Sequence, residues 1–416
     1  EPRGVQLRPF ESETFELIPP GSIVNFPRTH TDTPHVNEQL AVAPGKLPSN
    51  EAFVDLEQDL IERAHLILRD LESLRARLKG HPPILHLPFL DCLTTRQMRR
   101  SLLNIFILAS RGEPQAKAVY DRYVAELPVE FGTGSGEIKN ARHITRGLRQ
   151  FIERGGVLIG GGSWKDAFDE YGKAAKELVA RPILDDTRQP NSRIVVFAVC
   201  FYQQLLGDLI GEELLIGEDD RPAFRTQPGA LEIGPSPVHL TQAGRNHGVF
   251  RNLLPVSTKA MTLIQTHGGQ FAPTSEHTKG FRDPRVMKLI EVLATSGMTG
   301  FPAAWCTPGN RIFGQQFHSE VKLVHRSGSE CVLAAASQHL LAQMESSLGA
   351  AVDGTYGIDP RLIRKNFTEA LALVQRGGSK SAPQRVETQV VAEAGFPVFV
   401  RTIQERVALL KATIPR

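Results

Sequence analysis

The feature that most constrains the fold is an alternation of short apolar runs with segments of helical spacing, between residues 83 and 214. The runs "PPILHLPFL", "GGVLIGGGS" and "RIVVFAV" are typical of buried strands, and each precedes a helical pattern. Strands separated by helices imply parallel pairing with helices on both faces of the sheet. The sequence therefore predicts an α/β protein with a doubly wound, mostly parallel sheet.

After about residue 230 the pattern becomes rich in strands. The predicted strands are "SPVHLT", "AMTLIQTH", "IEVLATS", "PAAWCT" and "RIFGQQFH", and a helix is predicted over residues 332–347. These shorter strands are expected to form the far side of the sheet and a small β-ribbon. Residues 81–348 thus make up the predicted α/β domain.

The flanking segments differ in composition from this domain. Residues 1–50 are rich in proline and predict an extended arm, and residues 51–80 predict a packing helix with Asn50 as its N-cap. Residues 349–416 predict a C-terminal helical extension whose two helices are joined by the link "GGSKSAPQ".

Composition excludes several classes of function. A formal net charge of +3 on 416 residues gives no basis for nucleic-acid binding, and no apolar run is long enough to span a membrane. The four cysteines show no CxxC spacing, and no HExxH motif occurs. We therefore expect no disulfide scaffold, no metal and no cofactor, and a cytoplasmic, reducing location.

Cys200 lies where the run Ile194–Val199 ends and a helical pattern begins at once. Two interpretations compete for such a thiol. Free cysteine is often a small buried core residue. Alternatively, a sharp turn from strand to helix holds up a nucleophile, and the helix N-terminus behind it lowers the pKa of the thiol.

The segment "GNRIFGQQFHSEV" supplies a possible base. In an extended strand the side chains of His318 and Glu320 leave the same face. A carboxylate can then accept a hydrogen bond from one imidazole nitrogen and leave the other to exchange a proton with a thiol. An H-x-E pattern is also common at protein surfaces.

The glycines of "VLIGGGSW" follow a predicted strand. Glycines there let backbone N–H groups approach a ligand closely, as an oxyanion hole requires. Phosphate binding and a plain tight turn are the alternatives, although neither GxGxxG nor GK[ST] is present.

Together and in this order, these segments resemble the class I (triad-type) glutamine amidotransferases, in the branch of GMP-synthetase type. "FAVCFYQQLLGDLIG" resembles the family's G-I-C-x-G-x-Q-L-L, and "GQQFHSE" resembles its G-x-Q-F-H-P-E. "IGGGS" matches the upstream glycine loop, and "IQTHGGQF" resembles the H-G-D segment. The resemblance covers roughly residues 83–330 and implies a flavodoxin-like fold.

The resemblance implies a role for each matching residue. Cys200 would be the nucleophile, His318 the base and then the acid, and Glu320 the residue that orients His318. The glutamine that contacts substrate would be Gln204. The oxyanion hole would be formed by the backbone N–H of Phe201 and an N–H of the loop at Gly161 and Gly162.

Four positions depart from the family pattern. Tyr202 replaces the glycine two residues after the nucleophile, and we expect its ring beside the thiol. There it would either reshape the pocket for a different substrate or prevent catalysis at the turn. Ala198 replaces the glycine two residues before the nucleophile. Ser319 replaces the proline of the triad segment, and Gly269 the acidic residue of H-G-D.

Three functions are compatible with these motifs. The first is hydrolysis of γ-glutamyl amides or peptides through a thioester at Cys200, with a small-molecule substrate and no cofactor. The second is a glutaminase subunit that supplies ammonia to a separate synthase, because no P-loop or pyrophosphatase-like loop is present in this chain. The third is a catalytically silent module that binds another protein.

Overall fold

The computed structural model describes residues 50–89, 93–110, 113–132, 137–161, 170–214, 234–251, 253, 260–265, 288–296, 302–320 and 395–415. Several predicted features lie outside these ranges: the N-terminal arm, the helix over 332–347, the first helix of the C-terminal extension, the Gly/Ser/Lys link, and the H-G-D-like segment with Gly269.

Within the described residues, nine strands form one sheet in the order β2-β1-β3-β4-β9-β8-β7-β5-β6. Strands β2, β1, β3, β4 and β9 pair in parallel, whereas the pairs from β9 onward are antiparallel. The bounds are β1 Ile84–Pro88, β2 Val124–Glu126, β3 Gly156–Gly161, β4 Ile194–Val199, β5 Gly234–Leu240, β6 Ala260–Gln265, β7 Glu291–Ser296, β8 Pro302–Cys306 and β9 Ile312–Gln315. Only β5 and β8 run against the others, so the predicted α/β class with a mostly parallel sheet is confirmed.

From β1 to β6, one or two α-helices lie between successive strands. The described helices are α1 Asn50–Arg77, α2 Leu93–Ala109, α3 Glu113–Tyr123, α4 Ala141–Arg154, α5 Glu170–Ala175 continued by a π-helical turn Lys176–Ala180, α6 Arg181–Thr187, α7 Phe201–Leu214, α8 Gln242–Asn246 and α9 Gly395–Thr413. Among the described residues, no helix combines the length and the apolar character that a membrane crossing requires.

Each face of the sheet carries its own hydrophobic core. Alternate residues of β4 enter opposite cores, because successive strand side chains point to opposite faces. The first core contains Val195 and Phe197 with apolar side chains of α1, α2, α3 and α9. The second contains Val196 and Ala198 with apolar side chains of α4, α6 and α7.

Helices α1 and α9, predicted as additions to the α/β domain, pack on the first core. The apolar side chains of α1 at Ala64, Ile67, Leu71 and Leu74 are buried, and so is Leu78 just beyond its end. Polar contacts join the two helices, since Arg63 Nη1 donates to Gln404 Oε1 at 2.7 Å and Lys411 Nζ to Asp70 Oδ1 at 2.6 Å. The Phe399 ring of α9 lies 5.9 Å from that of Phe197 on β4.

Candidate active site

The turn after β4 has the geometry of a nucleophile elbow. Strand β4 ends at Val199 and α7 begins at Phe201, so Cys200 alone joins them, as predicted. Its φ is +49°, in the left-handed region that side chains other than glycine rarely adopt. Its N–H donates to the carbonyl of Gln315 at 2.8 Å, and its carbonyl accepts from the N–H of Gln204 at 3.1 Å. These bonds hold the strained residue between strand and helix.

His318 and Glu320 form a buried pair. His318 Nδ1 lies 2.6 Å from Glu320 Oε1, and both side chains are at most 1% exposed. The predicted geometry was wrong in one respect: β9 ends at Gln315, and the pair lies in the turn beyond it rather than on one face of a strand. The turn curls the carboxylate back to the imidazole two residues away.

Three hydrogen bonds hold this turn in place, two to neighbouring elements and one within the segment. The N–H of Gln316 donates to the carbonyl of Ala303 on β8 at 2.8 Å. Ser101 Oγ of α2 donates to the carbonyl of Glu320 at 2.6 Å. Gln315 Nε2 donates to Oγ of Ser319, the residue that replaces the family's proline. The imidazole is therefore positioned by β8, by α2 and by its own turn.

The surroundings of His318 favour its charged form. Burial by itself would lower the pKa of His318, but the charges of Glu320 and Cys200, with hydrogen bonds to both, outweigh it and raise that pKa to about 10. Because Glu320 holds Nδ1, Nε2 is the nitrogen left for the thiol. The arrangement suits an imidazolium beside a thiolate, which is the reactive form of cysteine.

The residues predicted to bind substrate meet at the same edge of the sheet. Phe201 begins α7, so its N–H is among the first donors of the helix, which have no acceptor within it. Gly161 ends β3 beside the last residue of β4, and a Cβ on it would lie 3.1 Å from Val199 Cβ. Gly162 lies outside the described residues. Gln204 is 2% exposed, and its Nε2 donates to Gln316 Oε1 at 3.0 Å.

The ring of Tyr202 does not take the position beside the thiol that the sequence led us to expect. It belongs to the second core, whereas Cys200 belongs to the first. The ring stacks on Phe89, with centroids 5.4 Å apart, and lies directly against Gly160. The absence of a side chain at Gly160 on β3 therefore leaves room for the Tyr202 ring, at a position where the family pattern has a glycine in place of Tyr202.

We expect Gly160→Ala to destabilise the protein by about 1–3 kcal/mol, since overpacking forces side chains out of their rotamers. A Cβ at Gly160 would lie 2.3 Å from Tyr202 Cδ1, far inside van der Waals contact. Urea unfolding of a double-mutant cycle tests this expectation. In a Tyr202→Ala background the same substitution should cost much less, and an equal cost in both backgrounds would contradict the assignment.

Three polar side chains behind Cys200 were not predicted from the sequence as residues of the site. Gln316 Nε2 lies 3.5 Å from Cys200 Sγ, and Gln316 Oε1 accepts from Gln203 Nε2 at 2.6 Å. Trp305 Nε1 donates to Gln203 Oε1 at 2.7 Å. The signal for Gln316 was its place in "GQQFHSE", two residues before His318. Trp305 and Gln203 carry no local signal of this kind.

Cys306 is also buried as a free thiol, but its chemistry differs. Burial, with the charge of Glu291, raises the pKa of Cys306 to about 12. It would therefore be protonated at neutral pH and a poor nucleophile. Within the described ranges, no three His, Cys, Asp or Glu side chains come together in a group that could hold a metal ion.

Neither protein-family models nor curated proteins give a match to this chain. Among solved structures, the chain is similar to one named SMU.1228c. The similarity has a TM-score of 0.32 and 14% sequence identity, over 78% of this chain and 99% of that one. At so low a TM-score the likeness carries no argument about fold or function.

Proposed function

We propose that this chain hydrolyses a γ-glutamyl amide bond through a thioester at Cys200. The observation that carries the proposal is the strained turn that presents Cys200 to the buried pair of His318 and Glu320. A nucleophile, a base and a residue that orients the base are the three parts that such catalysis needs. The choice of γ-glutamyl substrates rests on the resemblance to class I glutamine amidotransferases, in the branch of GMP-synthetase type.

The proposed reaction has two stages. The Cys200 thiolate attacks the γ-carbonyl carbon, and the oxyanion accepts hydrogen bonds from the N–H of Phe201 and an N–H at Gly161 or Gly162. His318 gives its proton to the leaving nitrogen as the C–N bond breaks, which leaves a γ-glutamyl thioester. His318 then takes a proton from water, whose oxygen attacks the thioester; the C–S bond breaks, the product leaves as glutamate after its new carboxyl group gives its proton to solvent, and the Cys200 thiolate beside protonated His318 is restored.

A flavodoxin-like, doubly wound fold is part of the same proposal. The parallel strands β2-β1-β3-β4-β9 follow the order 2-1-3-4-5 that is typical of flavodoxin-like sheets. Ligands of open α/β sheets bind outside the carboxyl ends of the strands, and Cys200 follows the carboxyl end of β4. The free thiols of Cys200 and Cys306 fit the reducing cytoplasm that we propose as its location.

The test is the intact mass of the protein after incubation with a diazo- or chloroketone analogue of glutamine. We expect one adduct on the wild type and on Cys306→Ser, which keeps the proposed nucleophile and removes the other free thiol that is buried in the described part of the chain. Cys200→Ser should give no adduct. Labelling that persists in Cys200→Ser, or no labelling of the wild type, would overturn the proposed nucleophile.

A substrate screen then separates the hydrolase from the two other functions. We expect release of glutamate from γ-glutamyl peptides in the absence of any partner protein. Hydrolysis of glutamine alone, stimulated by a synthase, would replace the proposal with the glutaminase subunit. An adduct without turnover of any γ-glutamyl compound would favour the silent binding module.

A further inference from the structure

Four buried side chains form a continuous chain of hydrogen bonds that ends on the proposed nucleophile. Trp305 donates to Gln203, Gln203 donates to Gln316, and Gln316 Nε2 lies within hydrogen-bond reach of Cys200 Sγ. Gln204 adds a second donor to the oxygen of Gln316, at 3.0 Å. All four side chains are at most 2% exposed, so water does not compete for these bonds.

The indole sets the direction of the whole chain. An amide group can turn either its oxygen or its nitrogen to a neighbour, whereas an indole N–H can only donate. Gln203 must therefore turn its oxygen to Trp305 and its NH₂ group to Gln316. Gln316 must in turn receive these donors on its oxygen, which leaves its NH₂ group to face the sulfur.

A glycine of the triad segment makes room for the indole. A Cβ on Gly314 would lie 2.5–2.8 Å from Cε2, Cζ2 and Nε1 of Trp305. The indole therefore lies flat against the backbone of β9, with its N–H close to Gln203. Strands β8 and β9 are paired at this point, Trp305 opposite Gly314, which fixes the indole relative to the nucleophile.

We propose that Trp305, Gln203 and Gln204 form an orienting relay that fixes Gln316 as an N–H donor to the sulfur of Cys200, so that the relay favours the thiolate. Gln316 would touch the reacting atom, and the other three would be positioning residues. The proposal deepens the function proposed above and rests on it only in taking Cys200 as the nucleophile. His318 interacts with Cys200 by charge and by a hydrogen bond, and Glu320 lies behind His318 at 2.6 Å from its Nδ1.

The test is a pH titration of the thiolate by its ultraviolet absorbance, taken as the difference between each protein and its Cys200→Ser counterpart. A hydrogen bond to a charged group contributes about 1.5–3 kcal/mol, so Gln316→Leu should raise the apparent pKa of the thiol by about one to two pH units. Trp305→Phe should raise it by a smaller but measurable amount, since Gln316 remains and only its orientation is lost. If Gln316→Leu does not fold, Trp305→Phe carries the test.

Ile312→Val is the matched control, because Ile312 lies in the same core as Trp305 and is not part of the relay. It should titrate as the wild type does. A wild-type titration in either Gln316→Leu or Trp305→Phe would overturn the relay, and so would an equal shift in the control. The titration needs no substrate, so a thiol that responds as expected in a protein without hydrolase activity would refute the proposed function and leave the relay standing.

Discussion

Replacing His318 with glutamine is expected to slow γ-glutamyl hydrolysis by about 10³-fold or more. Glutamine keeps a polar side chain in the turn but can neither activate the thiol nor protonate the leaving amine. His318 and Glu320 lie 2.6 Å apart and are both buried, so bulk solvent has no direct access to the position of the imidazole. The measurement is kcat/KM for a γ-glutamyl peptide. Retention of more than a tenth of the wild-type value would contradict the assigned role.

Glu320→Gln is the companion variant, since it keeps the imidazole and removes the charge beside it. Glu320 helps to raise the pKa of His318 to about 10, so the loss of this charge should lower that pKa. The proposed active form is the ion pair of the Cys200 thiolate and the His318 imidazolium. This pair loses its proton as the pH rises through the pKa of His318, and its two groups titrate as a coupled pair. We expect the alkaline limb of the rate profile of Glu320→Gln to move to lower pH. An unmoved limb would show that Glu320 does not act through its charge.

Glu126→Gln is expected to destabilise the fold by about 3 kcal/mol at neutral pH. Glu126 ends β2, is 7% exposed, and accepts hydrogen bonds from Arg99 Nε at 2.9 Å and Tyr120 Oη at 3.0 Å. His86 Nδ1 lies 3.2 Å from the same oxygen. Glutamine has nearly the same shape but removes the negative charge that pairs with the Arg99 guanidinium. Urea unfolding at neutral pH measures the loss.

The pH dependence of the free energy of unfolding tests whether the loss in Glu126→Gln comes from the charge of Glu126. Burial would raise the pKa of Glu126, but hydrogen bonds and charges from His86 and Arg99 outweigh burial and lower that pKa from 4.5 to about 2. Because the pKa of Glu126 is lower in the folded state than in the unfolded state, its charged side chain stabilises the fold. This contribution to the free energy of unfolding is complete above pH 4.5 and is lost as the pH falls through about 2. Across this window the free energy of unfolding of the wild type should fall by about 3 kcal/mol more than that of Glu126→Gln.

Glu177→Gln serves as the control for this prediction. Glu177 also pairs with an arginine, Arg181, at 2.6 and 2.8 Å, but its side chain is 57% exposed. Exposed pairs contribute about 0–1 kcal/mol, so this variant should stay close to the wild type. Equal losses of stability in Glu126→Gln and Glu177→Gln would contradict the prediction that the buried carboxylate contributes more to stability than the exposed one.

The ion pair of Glu126 with Arg99 also supports the candidate active site. Arg99 and Ser101 both lie on α2, and Ser101 donates to the carbonyl of Glu320. The ion pair that ties α2 to the end of β2 therefore helps to hold the turn that carries His318. Substitution of Glu126 is therefore expected to lower the stability of the fold and, as a consequence, to disturb the turn that carries His318.

Local patterns predicted the elements that lie nearest to the chemistry. The apolar run over Ile194–Val199 and the helical spacing after it placed Cys200 at the turn, and the structure has the same bounds. The pattern did not reveal α3 or the three-residue strand β2, which are short and whose apolar positions make no clear period. It also extended β9 too far, because the apolar and polar residues after Gln315 alternate as in a strand although the backbone turns.

The sequence by itself determined the strand and helix on either side of Cys200, and the residue types that meet the ends of the strands, because side-chain periodicity is a local property of the chain. Only the tertiary structure decided that the ring of Tyr202 lies against Gly160, that α9 packs on β4, and that an amide relay lies behind the thiol. Trp305 is 102 residues from Gln203, and Gln203 is 113 residues from Gln316. Contacts over such separations depend on strand order and register, and no local pattern encodes them.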